Sequence, residues 1–229
     1  MHTDRMKYKN LIIIDIDDTF LPHRTAAVGY RLFFSALKKL DLWRLLVLTV
    51  LGVMLNIMYF YRIIHNNYSG YMSSKYMINL WADTMIYLNI NKKEYELGDK
   101  YLKKIYKKTF NIYKKASSPK TYVLGMSQSF VIDKNKDPII KFLNINEYYS
   151  NEFFTKNGVI TKKNIILKHG FDKKKIAENI IRKIKPKNTY LFIDDFDDLA
   201  LLKLNTNVTP VIYSKKIERF IKCGHKLGR

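Results

Sequence analysis

The stretch Leu11-Ile12-Ile13-Ile14-Asp15-Ile16-Asp17-Asp18-Thr19 decides the fold. Four consecutive apolar residues, three of them β-branched, read as a fully buried strand. The strand runs straight into the carboxylates Asp15, Asp17 and Asp18. In open α/β sheets, ligands bind beyond the carboxyl ends of the strands. Carboxylates crowded at such a place repel one another unless a cation or a shared proton compensates. Mg²⁺, a hard cation that takes oxygen ligands, is the simplest compensation.

A second cluster repeats the pattern. Tyr190-Leu191-Phe192-Ile193 is another short apolar run, and Asp194-Asp195-Phe196-Asp197-Asp198 follows it. Two buried strands that each end in clustered acids are hard to explain as solvated loops. Between them lie Tyr122-Val123-Leu124-Gly125-Met126, an apolar run closing on Ser127, and a lysine-led helix beginning near Lys173. This order resembles the haloacid dehalogenase (HAD) superfamily of phosphohydrolases, in its phosphoserine phosphatase-like subclass. The family's DxDxT motif is met by Asp15, Asp17 and Thr19. Its Ser or Thr closing a strand is met by Ser127. Its Lys at a helix start is met by one of Lys173, Lys174 and Lys175. Its last acidic motif is met by Asp194 and Asp198, with Leu199-Ala200-Leu201-Leu202 continuing as a helix. Two positions depart from the common pattern. Asp18 and Ile193 stand where the family often has glycine, and the Asp194-Asp195 pair matches its DD variant instead.

The resemblance implies an α/β fold: a Rossmann-like parallel sheet with helices on both faces, plus an inserted α-helical cap. Residues 1–22 and 118–229 would form the catalytic core and residues 23–117 the cap. The chain between Asp15 and Ser127 is far longer than the dozen or so residues that a crossover between parallel strands needs. From about residue 30 to 116 it shows helix-like periodicity and little strand alternation. Further on, residues 153–161 read as a β-hairpin turning at Asn157-Gly158. A helix is expected near Phe130, interrupted before Pro138, and another from an Asp172 N-cap through Ile184. A last strand over residues 208–213 and a last helix over 215–223 complete the reading.

At 229 residues the chain is long enough for one α/β domain with a sizeable core, or a core with a cap. Its 47% hydrophobic content excludes a disordered chain. The single cysteine, Cys223, excludes an intrachain disulfide. The first apolar run is short and ends at Asp15, which is not the pattern of a signal peptide, so the catalytic domain is expected in the cytoplasm. The formal charge of +21 favours anionic partners: a membrane surface, nucleic acid or phosphorylated substrates. A lysine-rich compositional bias would supply much of the same charge without function.

Residues 45–61 (LLVLTVLGVMLNIMYFY) carry no charge, and Arg44 and Arg62 bracket them. Trp43, Tyr59 and Tyr61 sit at the ends, a membrane-interface arrangement. The run is close to the lower limit of about 17 residues for a spanning helix. A single crossing would separate Asp15 from Ser127, Lys175 and Asp194, so the site could not assemble. The next apolar stretch, residues 76–90, contains Asp83, and a charge at the bilayer centre is expensive. A re-entrant hairpin bending near Gly52 and Asn56, or an in-plane helix dipping into one leaflet, is therefore expected of the segment 43–62, at the inner face of the membrane. The alternative is a buried cap helix that is apolar all round. Residues 99–115, with apolar residues at helical spacing among lysines, fit either a lipid-facing helix or a cap helix with its lysines in water.

The resemblance assigns the chemistry. Asp15 attacks phosphorus and forms an aspartyl-phosphate. Asp17 protonates the leaving oxygen and then deprotonates the resolving water. The two carboxyls should have their pKa values pushed apart. Mg²⁺ is held by Asp15, the Asp17 carbonyl and Asp194, with Asp198 and then Asp195 the next choices. Ser127 and a lysine hold the phosphoryl oxygens. Lys175, directly before Ile176-Ala177-Glu178-Asn179-Ile180, matches the subclass best. Thr19, Asp195 and Asp198 are supporting residues. The five histidines, His2, His23, His65, His169 and His225, have no metal-ligand spacing and read as incidental. The substrate implied is a membrane-associated lipid phosphate ester, since the layout resembles phosphatidylglycerophosphatase C-type proteins. A soluble small-molecule phosphatase, a polynucleotide-end phosphatase and a non-catalytic membrane adaptor are the alternatives.

Overall fold

Alternation along β1 (Asn10–Asp15) sends Leu11 and Ile13 to one face of a sheet and Ile12 and Ile14 to the other. All four are fully buried. Both faces must therefore be covered, as in parallel sheets wrapped by helices. The structure, a computed structural model, describes residues 8–64, 68–194 and 196–212.

After β1 the chain is helical. It runs through α1 (Arg24–Lys38), α2 (Leu42–Ile64), α3 (Tyr68–Tyr87), the short α4 (Lys92–Tyr95), a 3₁₀ segment (Asp99–Lys104) and α5 (Lys107–Ala116). It then returns as β2 (Thr121–Val131), α6 (Pro138–Phe142), β3 (Glu147–Lys156), β4 (Val159–Asn164), α7 (Gly170–Ile184), β5 (Asn188–Ile193), a second 3₁₀ segment (Phe196–Lys203) and β6 (Val208–Ile212). The strand order is β4-β3-β2-β1-β5-β6. All neighbours are parallel except β3 and β4, which form the antiparallel hairpin. Asn157 and Gly158 both take positive φ, 52° and 78°, as a two-residue primed turn requires.

On one face, Leu11, Ile13, Leu124, Met126 and Leu191 pack against Ala177, Ile180 and Ile184 of α7. On the other, Ile12, Ile14 and Phe192 pack against Tyr113 of α5 and Ile139 of α6, with Tyr101 and Leu143 beside them. The expected sheet with helices on both faces is what forms. Gly125 makes the second layer possible: a Cβ there would lie 2.7 Å from Ile145 Cδ1. A third cluster joins Val28 and Leu32 of α1, Leu48 and Leu51 of α2, and Trp81, Ala82 and Met85 of α3 to Phe130, Phe153 and Ile160 of the sheet.

Several local expectations change. No helix starts near Phe130. β2 continues through Val131 with a register shift against β3 between Ser127 and Phe130, and Phe130 stacks on Phe153 at 4.3 Å between ring centroids. The helix expected over residues 99–115 is broken at Ile105 and Tyr106, where the backbone is extended and the Tyr106 N–H donates to the Phe20 carbonyl. Its apolar residues Leu102, Ile105, Phe110 and Tyr113 face the core, which favours the cap-helix alternative. α7 is capped by His169, and Asp172 sits at its third position, accepting from the backbone N–H groups of Lys168 and His169. α2 runs unbroken through Gly52 and Asn56, and the Asn56 side chain donates to the Gly52 carbonyl within the helix. The bend expected there is absent, because the helix ladder already satisfies both residues. The helix expected over 215–223 lies outside the described residues.

Candidate active site

The strand register builds the site. Asp15 is the last residue of β1, opposite Met126 of β2. The next backbone bond, from the Ile16 N–H to the Met126 carbonyl, carries the pairing one step further and brings Ser127 beside Asp17. On the other side Ile14 pairs with Phe192 of β5, so Asp194 emerges just past the end of that strand, next to Asp15. Three parallel strands thus deliver Asp15, Ser127 and Asp194 to one edge of the sheet.

Past β1 the chain turns sharply. Asp18 sits at φ 59° in the left-handed region, which accounts for the frequent glycine at this place in the family that the motif resembles. Asp and Asn are the residues other than glycine that adopt this conformation most readily. The Asp18 N–H donates to the Leu21 carbonyl, and Asp18 Oδ1 accepts from the His23 N–H at 2.8 Å, where α1 begins. Asp17 is thereby held beneath the start of α1. It accepts from the Arg24 N–H at 3.4 Å, the Ser129 N–H at 3.3 Å and the Ser127 hydroxyl. Thr19, fully buried, donates to Asp194 Oδ1 at 2.6 Å and ties the β1 turn to the end of β5.

The lysine in the site is Lys173. Its ammonium lies 2.7 Å from Asp15 Oδ2 and 2.7 Å from Asp198 Oδ1, and the residue is only 2% exposed. Lys175, the sequence-based choice, is exposed on α7. Lys174 pairs with Glu178 at 3.6 Å. The helix period explains the correction. Ala177, Ile180 and Ile184 are the buried stripe of α7, and the position one turn before Ala177 is Lys173.

Asp15, Asp194 and Asp198 place carboxylate oxygens within 4.8 Å of one another. Asp195 lies outside the described residues. Asp15 Oδ1 and Asp198 Oδ2 are buried with no hydrogen-bond donor among the described residues. Burial first, and then the Asp198 charge, push the Asp15 carboxyl well above the usual carboxylate range, although Lys173 pulls it back. Burial also acts upward on Asp17. There the charges of His23 and Arg24 and the Ser127 hydrogen bond outweigh it, and the net shift is downward. Burial works against the Lys173 charge, but Asp15 and Asp198 outweigh it and its pKa rises. Asp15 and Asp17 are therefore pushed apart, in the sense opposite to nucleophile and acid. Lys173 alone does not offset the negative charge gathered on Asp15, Asp194 and Asp198, and a cation held there would make up the difference.

His23, Asp18 and Gln128 line the same small cavity, of about 30 Å³, as Asp15, Asp17, Lys173 and Asp194. His23, read as incidental from the sequence, therefore lies at the candidate site. No spacing rule marked it; its only signal was its place just after the acidic turn. Arg24, also unmarked, sends its guanidinium to Asp137 at 2.6 Å while its backbone holds Asp17.

No family model matches the sequence, and no curated protein matches it either. Solved structures do match. A HAD family hydrolase from Salmonella enterica serovar Typhi is 13% identical with a TM-score of 0.55, over 86% of this chain. This chain spans 60% of that protein's length. A phospho-aspartyl intermediate analogue of phosphoserine phosphatase is 16% identical, covering 94% of this chain and 99% of its own, with a TM-score of 0.57. Cytosolic 5'-nucleotidase IIIB bound to cytidine is 12% identical, covering 95% and 77%, with a TM-score of 0.60. The chain has the fold of the HAD-superfamily phosphatases of the phosphoserine phosphatase type.

Proposed function

We propose that this chain hydrolyses phosphate monoesters through an aspartyl-phosphate on Asp15, with Mg²⁺ as cofactor, and that the ester is presented at an anionic membrane surface. The observation that carries the reaction is the convergence of Asp15, Asp17, Lys173 and Asp194 on one small cavity at the carboxyl ends of parallel strands.

The oxygen-only cluster of Asp15, Asp194 and Asp198 fits a hard cation. Asp15 and Asp194 line the catalytic cavity and Asp198 lies buried behind it, so Asp15 and Asp194 would hold the ion with the Asp17 backbone carbonyl. When bound, Mg²⁺ supplies positive charge against the phosphoryl oxygens and favours ionised Asp15. Lys173 steadies the same carboxylate and faces the phosphoryl group. An Asp15 oxygen attacks phosphorus. The new O–P bond forms as the ester P–O bond breaks, and the leaving oxygen takes a proton from Asp17. A phosphate dianion beside Asp17 raises its pKa, as like charges do, and so loads it with that proton. Water then returns a proton to Asp17, and its oxygen attacks phosphorus. The bond to Asp15 breaks and inorganic phosphate leaves. Thr19 keeps Asp194 in place, and Ser127, expected from the sequence to hold a phosphoryl oxygen, instead donates to Asp17 and orients it.

The membrane reading rests on α2. Over residues 42–61, long and apolar enough to cross a bilayer, only 11% of the most apolar window is buried. Leu48 and Leu51 face inward, while Leu46, Val50, Val53, Met54, Ile57 and Phe60 are exposed. A buried cap helix would not leave such a face in water. α2 and α3 pack on each other, and Asp15 and Ser127 lie together at the sheet edge. An in-plane placement with the outer face of α2 in one leaflet is consistent with that arrangement. A soluble small-molecule substrate is the second reading, because one matching structure is a substrate-bound phosphoserine phosphatase.

Phosphate release across lipid and soluble monoesters, with and without Mg²⁺, tests both levels. Release that needs Mg²⁺ and is fastest on vesicle-borne esters supports the proposal. Release only from soluble esters removes the membrane part. No release from any ester removes the reaction.

A further inference from the structure

A second cavity, of about 100 Å³, opens beside the catalytic one. Leu55 of α2, Met77, Ile78 and Trp81 of α3, and Phe130 of β2 supply its apolar walls. Gln128 and His23 belong to both cavities and mark their junction. The Gln128 backbone carbonyl is taken by Asn151 at 2.7 Å. Its side-chain Nε2 is buried and has no hydrogen-bond partner among the described residues. A buried donor left unmade costs free energy, so its place at this junction calls for an acceptor from outside the chain.

Resting on the phosphatase reading above, we propose that this cavity receives the alcohol of the phosphate ester. The alcohol begins with hydrocarbon, and Gln128 Nε2 donates to the ester oxygen where the two cavities meet. The phosphoryl group then occupies the polar cavity, against Asp15 and Lys173. The first carbons of the leaving group lie among Leu55, Met77, Trp81 and Phe130. Beyond Gln128 and His23 at the junction, the polar side chains lining this second cavity are Thr25 and Ser74, and no Asp, Glu, Lys or Arg lines it among the described residues, so the ammonium of an amino-acid phosphate meets no counter-charge there. The cavity lies under the inner side of α2, whose outer side is exposed and apolar. A long hydrocarbon chain therefore has a short route from this cavity to a lipid phase.

The test uses full-length protein with Mg²⁺ and straight-chain alkyl phosphates, ethyl through hexyl, kept below their micelle concentrations. Phosphoserine and glycerol phosphate serve as polar controls. Each methylene buried should raise kcat/KM about fourfold until the cavity is full, and the polar esters should fall below butyl phosphate. Met77→Gln should flatten this dependence on chain length. Gln128→Leu should lower kcat/KM by about tenfold or more for every ester alike, since all share the ester oxygen, and should keep the chain-length slope. Equal rates for ethyl and hexyl phosphate, or faster turnover of phosphoserine, would overturn the inference while leaving the phosphatase reading intact. Failure to hydrolyse any ester would instead overturn that reading. If a variant does not fold, inhibition of the wild-type protein by alkylphosphonates of rising length decides. Potency that is flat with length counts against the proposal.

Discussion

Lys173 reaches Asp15 from the first turn of α7, its ammonium 2.7 Å from Asp15 Oδ2 and equally close to Asp198 Oδ1. The contact joins the helix after the hairpin to the ends of β1 and β5. It also makes one lysine responsible for two buried carboxylates. Removing it leaves both without their cation, and breaking a buried pair in this way typically costs about 3–5 kcal/mol.

Lys173→Met is therefore expected to lower both activity and stability. Turnover should fall by about two orders of magnitude or more, the scale for losing one preorganised electrostatic group, and the thermal midpoint should drop. Lys175→Met should change neither, because Lys175 is exposed. Kinetics and thermal melts of the two variants side by side check this. Loss of activity on replacing Lys175 alone would return the role to that residue.

Asp15→Asn should abolish turnover while the fold persists. The swap is nearly isosteric but removes the attacking charge. In the metal-free protein the melting point should rise rather than fall, because burial and Asp198 disfavour the Asp15 charge. A gain of about 1 kcal/mol corresponds to about 2–4 °C for a domain of this size. A variant that melts higher and retains substantial turnover would refute the covalent mechanism.

The elements that carry strong local signals were legible in the sequence. β1, β5 and the hairpin at Asn157-Gly158 follow from apolar runs and turn chemistry, and they place Asp15 and Asp194 correctly at strand ends. The choice among three adjacent lysines followed the family pattern, when the buried stripe Ala177, Ile180 and Ile184 already points back to Lys173. β2 hid its full length because Ser127, Gln128 and Ser129 interrupt its apolar run, although Ser127 and Ser129 are buried there by the neighbouring strands. Gln128 carried no signal in the sequence, and His23 only its place just after the acidic turn. Their roles depend on which cavities meet beside them, a tertiary fact with no periodicity.

The stability of the metal-free protein should fall as pH rises through the Asp15 titration. With its folded pKa raised, Asp15 binds a proton more tightly in the native than in the unfolded state. The native state then holds more protons, and stability drops as pH climbs from the ordinary carboxylate value through the folded one. Mg²⁺ favours the ionised form and should cancel this loss. Thermal melts with and without Mg²⁺ should separate more at about pH 8 than at about pH 5, on the usual carboxylate scale. An equal separation at both would show that the ion is not held by Asp15.

Asp194 and Asp198 should part company under mutation. Asp194 sits half-buried at the cavity wall and is steadied by Thr19, so Asp194→Asn should raise the Mg²⁺ concentration for half-maximal activity about tenfold or more, the scale for a ligand or its supporting shell. Asp198 is fully buried against Lys173, so Asp198→Asn should act mainly on stability. Mg²⁺ titrations of activity together with melts separate the two. A larger metal effect at Asp198 would reverse the ligand assignment.

The outer face of α2 provides the test of location. Val53 and Ile57 are 54% and 63% exposed, one turn apart on that face. Val53→Glu with Ile57→Glu should abolish flotation with vesicles containing anionic lipid, since a carboxylate at lipid depth costs about 2–3 kcal/mol or more. The melting point should hold, because neither side chain belongs to the packed core. Leu51→Glu, on the buried side, should instead unfold the helical layer. If the wild-type protein floats and the double variant floats equally well, contact lies on another face. If the wild-type protein does not float at all, the exposed face of α2 has some other cover and the soluble-substrate reading takes precedence. Vesicles lacking anionic lipid give the remaining contrast. The chain carries a formal charge of +21, and flotation should weaken there and also as salt is raised, because surface electrostatics are screened over about 10 Å at 0.1 M ionic strength.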